Sequence, residues 1–103
     1  MKKLFISQPM RGLTDEEILA VRQKAKADAE KIVGEEMEVL ESFFQGAPTD
    51  KTPMWYLGES IKLLGQADVV FFAEGWEDAR GCRVEHLCAV EYALDRIEPD
   101  LPG

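Results

Sequence analysis

The sequence predicts a small α/β domain whose strands form a parallel sheet. Residues 3–7 and 69–73 are short runs, almost entirely apolar and rich in β-branched and aromatic residues. Such runs are typical of strands that are buried on both faces of a parallel sheet. Apolar residues recur at helical spacing in the longer segments that lie between and after them. Because strands that alternate with helices form βαβ units, we expect a parallel sheet of three or four strands.

The first predicted strand leads through a loop into a long amphipathic helix. Pro9 and Gly12 mark the loop, and Thr14 followed by Glu17 is the capping-box pattern that begins a helix. Gly34 is a suitable end for that helix. Its predicted core stripe, with Glu, Lys, Arg and Gln on the opposite face, consists of Ile18, Val21, Ala25, Ala29 and Ile32.

The second half of the chain repeats the alternation. A strand is predicted at residues 37–40, followed by an irregular loop at 42–53 that contains Gly46 and Pro48. A loop of this length in a small domain is often functional. Helices are predicted at 53–64, ended by Gly65, and at about 80–96, and a frayed tail at 98–103. The predicted core stripe of the last helix consists of Leu87, Val90, Leu94 and Ile97.

The composition fits one small domain, residues 1–103, and excludes several classes of partner. Of the 103 residues, 46% are hydrophobic and 31% are charged, and the net charge is −8. Nucleic-acid polymers and anionic membranes need a basic surface, so neither is an expected partner, whereas a small nucleotide is not excluded. No apolar segment approaches the length of a membrane span, and no signal peptide is evident. A domain this small buries little surface by itself, so we expect a homo-oligomer.

The cysteine and histidine content indicates a reduced, cytoplasmic protein without a metal. Cys82 and Cys88 lie six residues apart on one predicted helix, on different faces and too far apart for a disulfide. With one histidine and no C-x-x-C motif, a metal site has little support, and no cofactor is expected.

Glu85 carries the strongest chemical signal in the sequence. It falls in the second turn of the last predicted helix, after a segment that contains Gly75, Trp76 and Gly81. In an open α/β sheet, the carboxyl end of a central strand and the N-terminus of the next helix form the usual ligand site. The helix dipole would stabilise an ionised carboxylate, which a nucleophile requires. The alternative is a solvated acid on the helix surface, the commonest position for glutamate.

The loop after the first strand is the second candidate. Ser7, Arg11 and Gly12 offer a hydroxyl, a guanidinium and free backbone N–H groups, which together can hold a small anion. Right-handed crossovers would bring residues 7–12 and 75–85 to one crevice.

Other polar and aromatic residues have two interpretations each. Asp68 opens the buried strand at 69–73, and it can form a turn or reach a base or ribose hydroxyl. Trp55, Tyr56 and Trp76 can stack on a base, although aromatic residues at these spacings are also typical of a core. His86 is expected on the outer face of its helix, and we assign it no role.

Three segments together resemble the nucleoside 2-deoxyribosyltransferase-like superfamily. They are K-L-F-I-S-Q-P-M-R-G at the start, A-D-V-V-F-F around Asp68, and G-W-E-D-A-R-G-C-R-V-E-H-L-C-A-V-E-Y-A. The similarity covers nearly the whole chain and is strongest to a branch of small, largely uncharacterised bacterial and phage proteins. It implies a flavodoxin-like three-layer α/β/α sandwich.

The resemblance also implies an activity. Characterised members cleave the N-glycosidic bonds of (deoxy)nucleosides or their 5′-monophosphates through a glutamate nucleophile, and water or a second base resolves the glycosyl-enzyme. By position, Glu85 matches that nucleophile, and Asp68 matches an acid that helps to bind or protonate the base. The residues whose positions imply substrate binding are Ser7, Pro9, Met10, Arg11, Gly12, Gly75, Trp76 and Gly81.

Two departures from the superfamily leave the activity open. Phe5 stands where many active members have a tyrosine that positions the nucleophile. A final strand of larger members is expected to be missing or abbreviated here, and those members often complete each site from a neighbouring subunit. Three hypotheses therefore stand: an N-glycosidase or transferase, a non-catalytic module that binds a nucleotide or ribose phosphate, and a partner-binding protein with a vestigial crevice.

Overall fold

The computed structural model of this chain describes residues 1–44 and 50–99. Its elements in chain order are β1 (Lys2–Ser7), α1 (Asp15–Val33), β2 (Met37–Val39), α2 (Pro53–Leu64), β3 (Val69–Phe72), a 3₁₀ turn (Trp76–Asp78), α3 (Arg80–Glu91) and β4 (Asp95–Ile97). Residues 45–49 of the predicted loop, with Gly46 and Pro48, and residues 100–103 of the predicted tail lie outside the described residues.

The four strands form one parallel sheet in the order β2-β1-β3-β4. The chain therefore first moves outward from β1 to β2 and then crosses back over β1 to β3, so the direction of winding reverses between β1 and β3. This is the flavodoxin-like order, in which ligands bind at the reversal point outside the carboxyl ends of the strands. Leu4 pairs with Val69 and Ser7 with Phe72, so both central strands end at the same level.

Alternating side chains of the central strands divide the core into two clusters. Leu4 and Ile6 pack with Ala25 and Ala29 of α1 on one face of the sheet. Phe5 packs on the other face, in a cluster that contains Leu64 of α2 and Ala89 of α3, together with Val70 and Phe72 of β3. One helix thus covers one face and two helices cover the other, which confirms the predicted three-layer sandwich.

The ends of α1 are as predicted, and its buried stripe is predicted in part, since Ile18, Ala25 and Ala29 are buried. The Thr14 and Glu17 side chains each accept a hydrogen bond from the other residue's N–H, and Gly34 ends the helix at φ 86°. Ile32 is 64% exposed, whereas Arg22 is buried. The stripe that contacts the interior consists of Ile18, Arg22, Ala25 and Ala29. These spacings of four, three and four residues follow one face of the helix. The buried face therefore includes Arg22 and not the more apolar Ile32.

The last predicted helix is too long, because its final residues form a fourth strand. Helix α3 ends at Glu91, and Ala93 adopts a left-handed conformation with φ 55°. Residues Asp95–Ile97 then pair in parallel with β3. The hydrogen bonds of this edge strand outweigh the helical pattern of the sequence. Asp95–Ile97 thus forms a short fourth strand of three residues.

The buried face of α3 also differs from the prediction. Cys82, Glu85 and Ala89 are its buried residues, whereas Leu87 and Val90 are 59% and 43% exposed. Small side chains at positions 82 and 89 let the helix approach the sheet closely. The exposed Leu87 and Val90 favour self-association, which stays a prediction. No helix among the described residues is long and apolar enough to cross a membrane.

Substitutions in α3 can test which of its faces packs on the sheet. Ala89 is fully buried beside Phe72, so Ala89→Leu is expected to lower the free energy of unfolding by about 1–3 kcal/mol through overpacking. Leu87→Ala removes a largely exposed side chain and is expected to change it by less than about 0.5 kcal/mol. Urea unfolding of both variants measures this difference. A larger loss for Leu87→Ala than for Ala89→Leu would contradict the assigned face.

Candidate functional site

A buried hydroxyl–carboxylate pair lies at the point where the winding of the sheet reverses. Ser7, the last residue of β1, donates a hydrogen bond from Oγ to Oε1 of Glu85 in α3 at 2.7 Å. The two residues are 1% and 7% exposed. Glu85 is therefore not a solvated acid on the helix surface, and the two sequence candidates Ser7 and Glu85 are in direct contact.

The surroundings of Glu85 favour its protonated form. Burial raises the pKa of Glu85 from 4.5 to about 7, and the hydrogen bond from Ser7 offsets part of this effect. We expected the helix dipole to keep the carboxylate ionised, and this expectation is wrong, because burial has the larger effect on the pKa of Glu85. Glu85 is the sixth residue of α3, beyond the first turn to which the dipole effect is confined. Burial thus shifts the ionisation of Glu85 towards neutral pH.

Cys82 lies one turn before Glu85 and shares its partner Ser7. Burial raises the pKa of the Cys82 thiol to about 11, and the charge of Glu85 acts in the same direction, while the hydrogen bond with Ser7 lowers it. The thiol therefore stays protonated and unreactive at neutral pH. Cys82 and Cys88 are both free thiols.

The two predicted loops meet at this edge of the sheet. Gly75 has φ 86°, and a Cβ atom at this position would lie 3.7 Å from Cγ of Pro9. Gly12 also has a left-handed backbone, with φ 81°. The loop after β1 and the loop after β3 are therefore in contact, as the right-handed crossovers predicted.

A cavity of about 890 Å³, within the size range of small-molecule sites, lies between the loop after β1, α2 and the start of α3. Neither Ser7 nor Glu85 is among the described residues that line it. Met10 and Arg11 from the loop after β1 line one side, and Tyr56 of α2 lines another. Gly81 of α3 also lines it, one helical turn before Glu85, and a Cβ atom there would meet nothing within 4 Å. The cavity therefore reaches α3 one helical turn from Glu85, at a position that carries no side chain.

Trp76 is a packing residue rather than a wall of this cavity. Its ring stacks on His86 at a centroid distance of 4.1 Å and lies 5.3 Å from the ring of Phe72. His86 is half-buried and hydrogen-bonds Glu98, so it is not on the outer face as expected. Together these contacts join α3 to the segments that follow β3 and β4.

Asp68 lies at the amino ends of β1 and β3, whereas Glu85 lies near their carboxyl ends. Its Oδ2 accepts a hydrogen bond from the backbone N–H of Lys3 at 2.7 Å, at the start of β1. The four residues of β3 separate it from the carboxyl edge, a distance of about 13 Å at the rise of a β-strand. The expectation that Asp68 shares the crevice is therefore corrected: its role here is to hold the amino ends of β1 and β3 together.

A buried arginine network, missed by the sequence analysis, supports the loops around the cavity. Arg22 donates from Nη1 to Gln8 Oε1 (3.1 Å) and Ser42 Oγ (3.3 Å), and from Nη2 to the Leu40 carbonyl (2.9 Å). Gln8 in turn donates to the carbonyl of Ile18 at 3.1 Å. Burial lowers the pKa of Arg22, and the charge of Glu41 opposes this effect. A sequence signal did exist, since Arg22 interrupts the apolar line from Ile18 to Ala29.

Among residues 1–44 and 50–99, no group of three or more His, Cys, Asp or Glu side chains is arranged to hold a metal ion.

Comparison with known proteins places the chain in one family. Residues 2–96 match the model of a family described as a domain of unknown function, DUF4406. No curated protein matches the chain, and no solved structure matches it.

The raised pKa of Glu85 predicts a stability that depends on pH. The unfolded chain loses the proton near pH 4.5, whereas the folded chain keeps it until about pH 7, so stability falls across this window and is level above it. The gap between these pKa values corresponds to roughly 3 kcal/mol. Glu85→Gln, which cannot ionise, is expected to be more stable than the wild type at pH 8 by up to that amount, and to lose this advantage near pH 4.5. Urea unfolding at several pH values measures it; a constant difference would contradict the assigned burial effect.

The position of Asp68 predicts a structural rather than a functional effect. Asp68→Ala removes the acceptor for the Lys3 N–H and is expected to lower the free energy of unfolding by about 1 kcal/mol. Because the cavity lies at the other edge of the sheet, ligand affinity should not change. Thermal unfolding and ligand titration of the same preparation test both statements. If Asp68→Ala lost ligand affinity but kept its free energy of unfolding, Asp68 would belong to the binding site after all.

Proposed function

This chain belongs to the DUF4406 family, a domain of unknown function, and we propose from its site that it is an N-glycosidase of nucleosides or nucleoside 5′-monophosphates. We further propose that it is a member of the nucleoside 2-deoxyribosyltransferase-like superfamily, on the strength of the sequence resemblance and the flavodoxin-like strand order.

The observation that carries the proposal is the buried Glu85 carboxylate at the point of reversal between β1 and β3. Glu85 is more than nine-tenths buried, and the hydrogen bond that its carboxylate accepts within the described residues comes from the Ser7 hydroxyl. Acids perturbed by burial in this way cluster at functional sites. Ser7 holds Oε1 and fixes the orientation of the carboxyl group, which leaves Oε2 as the reacting atom. We place the sugar in the cavity that Gly81 lines, one helical turn from Glu85.

In the proposed reaction, ionised Glu85 attacks the anomeric carbon of the sugar. The C–N bond breaks, its electron pair leaves with the base, and the base takes up a proton from solvent. The product is a glycosyl ester on Glu85. Water, or a second base in a transfer reaction, then attacks the same carbon and releases the Glu85 carboxylate. Ser7 stabilises the leaving carboxylate in this second step through its hydrogen bond.

A base-release assay with matched variants tests this function. The wild type is expected to release free base from some member of a panel of nucleosides and their 5′-monophosphates, and Glu85→Gln is expected to reduce release by a factor of about 10³ or more. Cys82→Ala, which removes a neighbour without nucleophilic character, should keep a substantial rate. Because the attacking form is ionised, the wild-type rate should rise with pH through about 7. Undiminished turnover in Glu85→Gln would exclude Glu85 as the nucleophile.

A second candidate is a module of the same fold that binds a nucleotide or ribose phosphate without cleaving it. Phe5 favours this candidate, because it is buried in the core cluster on the Glu85 side of the sheet and offers no hydroxyl to the carboxylate. The two candidates predict different outcomes of one experiment. A nucleotide that binds tightly and stays intact after prolonged incubation with the wild type would support the binding module.

A further inference from the structure

We infer that Arg22 is a positioning residue of the site: its guanidinium fixes the ends of β1 and β2, and through Gln8 it holds the Ser7 hydroxyl against Glu85. Arg22 is not among the described residues that line the cavity, so it acts through other residues rather than on a ligand. The geometric part of this inference applies to either candidate function, whereas its kinetic part rests on the proposed glycosidase.

The end of β1 is held from both faces of the sheet by two consecutive side chains. On one face, Ser7 donates a hydrogen bond to Glu85 of α3 at 2.7 Å. On the other face, Gln8 donates to the Ile18 carbonyl of α1 at 3.1 Å, and its Oε1 accepts a hydrogen bond from Arg22 at 3.1 Å. Because neighbouring side chains of an extended chain point in opposite directions, a fixed Gln8 also fixes the direction of Ser7.

The same guanidinium holds the end of β2. Arg22 donates from Nη1 to the Ser42 hydroxyl at 3.3 Å and from Nη2 to the Leu40 carbonyl at 2.9 Å. The Ser42 hydroxyl donates in turn to the Ile6 carbonyl of β1 at 3.5 Å. Ser42 and the following Phe43 both line the cavity, so these contacts fix one wall of the cavity relative to β1.

The three side chains of this network are buried and their polar groups are paired. Arg22, Gln8 and Ser42 are 7%, 5% and 5% exposed. In the part of the chain that the structure describes, no buried side-chain nitrogen or oxygen lacks a hydrogen-bond partner. A rotation of any of the three side chains would leave a buried donor or acceptor unpaired, which is unfavourable. The network therefore favours one arrangement of the two strand ends.

Stability alone does not account for an arginine at this position. The other buried residues of α1 are Ile18, Ala25 and Ala29, and an apolar residue at position 22 would continue their stripe. A buried charge is costly to desolvate, and apolar replacements of buried charged networks are often neutral or stabilising. An arginine provides instead a rigid planar group whose N–H donors reach acceptors from two segments at once. It is therefore suited to aligning the ends of two strands.

The site needs this support because the pairing of the central strands does not extend beyond Ser7. The pairing of β1 with β3 ends at Ser7 and Phe72, and the next residue, Gln8, is held by its side chain. A catalytic group tolerates little displacement, and a shift of about 1 Å can lower a rate about 100-fold. Loss of the contact between Gln8 and Arg22 is therefore expected to weaken the hydrogen bond from Ser7 to Glu85.

Titration of the Glu85 carboxyl group by ¹³C NMR tests the positioning role without any ligand. The signal is assigned by its absence from the spectrum of Glu85→Gln. The hydrogen bond from Ser7 lowers the pKa of Glu85, so a variant that weakens this bond should raise the midpoint of the titration. We expect Ser7→Ala to raise it by about one pH unit, and Gln8→Met and Arg22→Lys by about half as much. Lys26→Gln removes an exposed cation of the same helix and should leave the midpoint unchanged.

The choice of variants separates positioning from charge. Gln8→Met and Arg22→Lys keep the positive charge at position 22, so its loss cannot cause the rise. When Ser7 is already alanine, neither variant should raise the midpoint further, whereas a direct electrostatic effect would persist. The Cys82 thiol beside Ser7 has a pKa of about 11 and stays protonated during the titration. An unchanged midpoint in both variants, a further rise in the Ser7→Ala background, or failure of both variants to fold would overturn the positioning role.

Base-release kinetics test the part of the inference that rests on the proposed function. Gln8→Met acts on the Ser7–Glu85 pair and is expected to lower kcat about tenfold with little change in KM. Ser42→Ala acts on the wall of the cavity and is expected to raise KM about threefold with little change in kcat. Arg22→Lys weakens both contacts and should show both effects.

The failure of this inference can be distinguished from the failure of the proposed function. If the wild type releases no base but the Glu85 midpoint rises as expected, the positioning role stands and the glycosidase is refuted. If the wild type releases base, and Gln8→Met and Arg22→Lys keep both its kcat and its midpoint, the glycosidase stands and the positioning role is refuted.

Discussion

The hydrogen bond from Ser7 to Glu85 is the contact on which the arrangement of the site depends. It links the end of the first strand to the third helix, and it can form only if both central strands end at one level and α3 lies close to the sheet. The pairing of Ser7 with Phe72 meets the first condition, and the small residues Cys82 and Ala89 meet the second. A larger side chain at either helix position would move Glu85 away from its partner.

The same hydrogen bond partly offsets the cost of burying the Glu85 carboxylate. A buried carboxylate with one hydroxyl partner is less stable than a buried amide or apolar side chain of similar size, because its ionised form loses most of its hydration. The chain therefore keeps Glu85 at some expense in stability at neutral pH. Functional sites are where departures from favourable packing are expected, and the site lies at the reversal of strand order, where this fold class binds its ligands.

The charge of the cavity lining differs from that of the chain as a whole. A net charge of −8 repels nucleic-acid polymers and anionic surfaces at long range. The described residues that line the cavity include Arg11, Lys51 and Arg80 and no aspartate or glutamate.

The sequence by itself determined the parts of this protein that depend on neighbouring residues. The buried runs of β1 and β3, the Thr14–Glu17 capping box, the end of α1 at Gly34 and the place of Glu85 in α3 were all predicted, because caps, turns and apolar runs act over a few residues. Only the tertiary structure decided the rest. Pairing with β3 converted Asp95–Ile97 from helix to strand, and the alignment of β1 with β3 placed Asp68 at the edge opposite Glu85. Packing of α1 buried Arg22, and the folding of three segments together brought Lys51 and Arg80 to one cavity. These outcomes depend on contacts between residues that are far apart in the chain. The energies of such contacts cannot be inferred from a local pattern of residues.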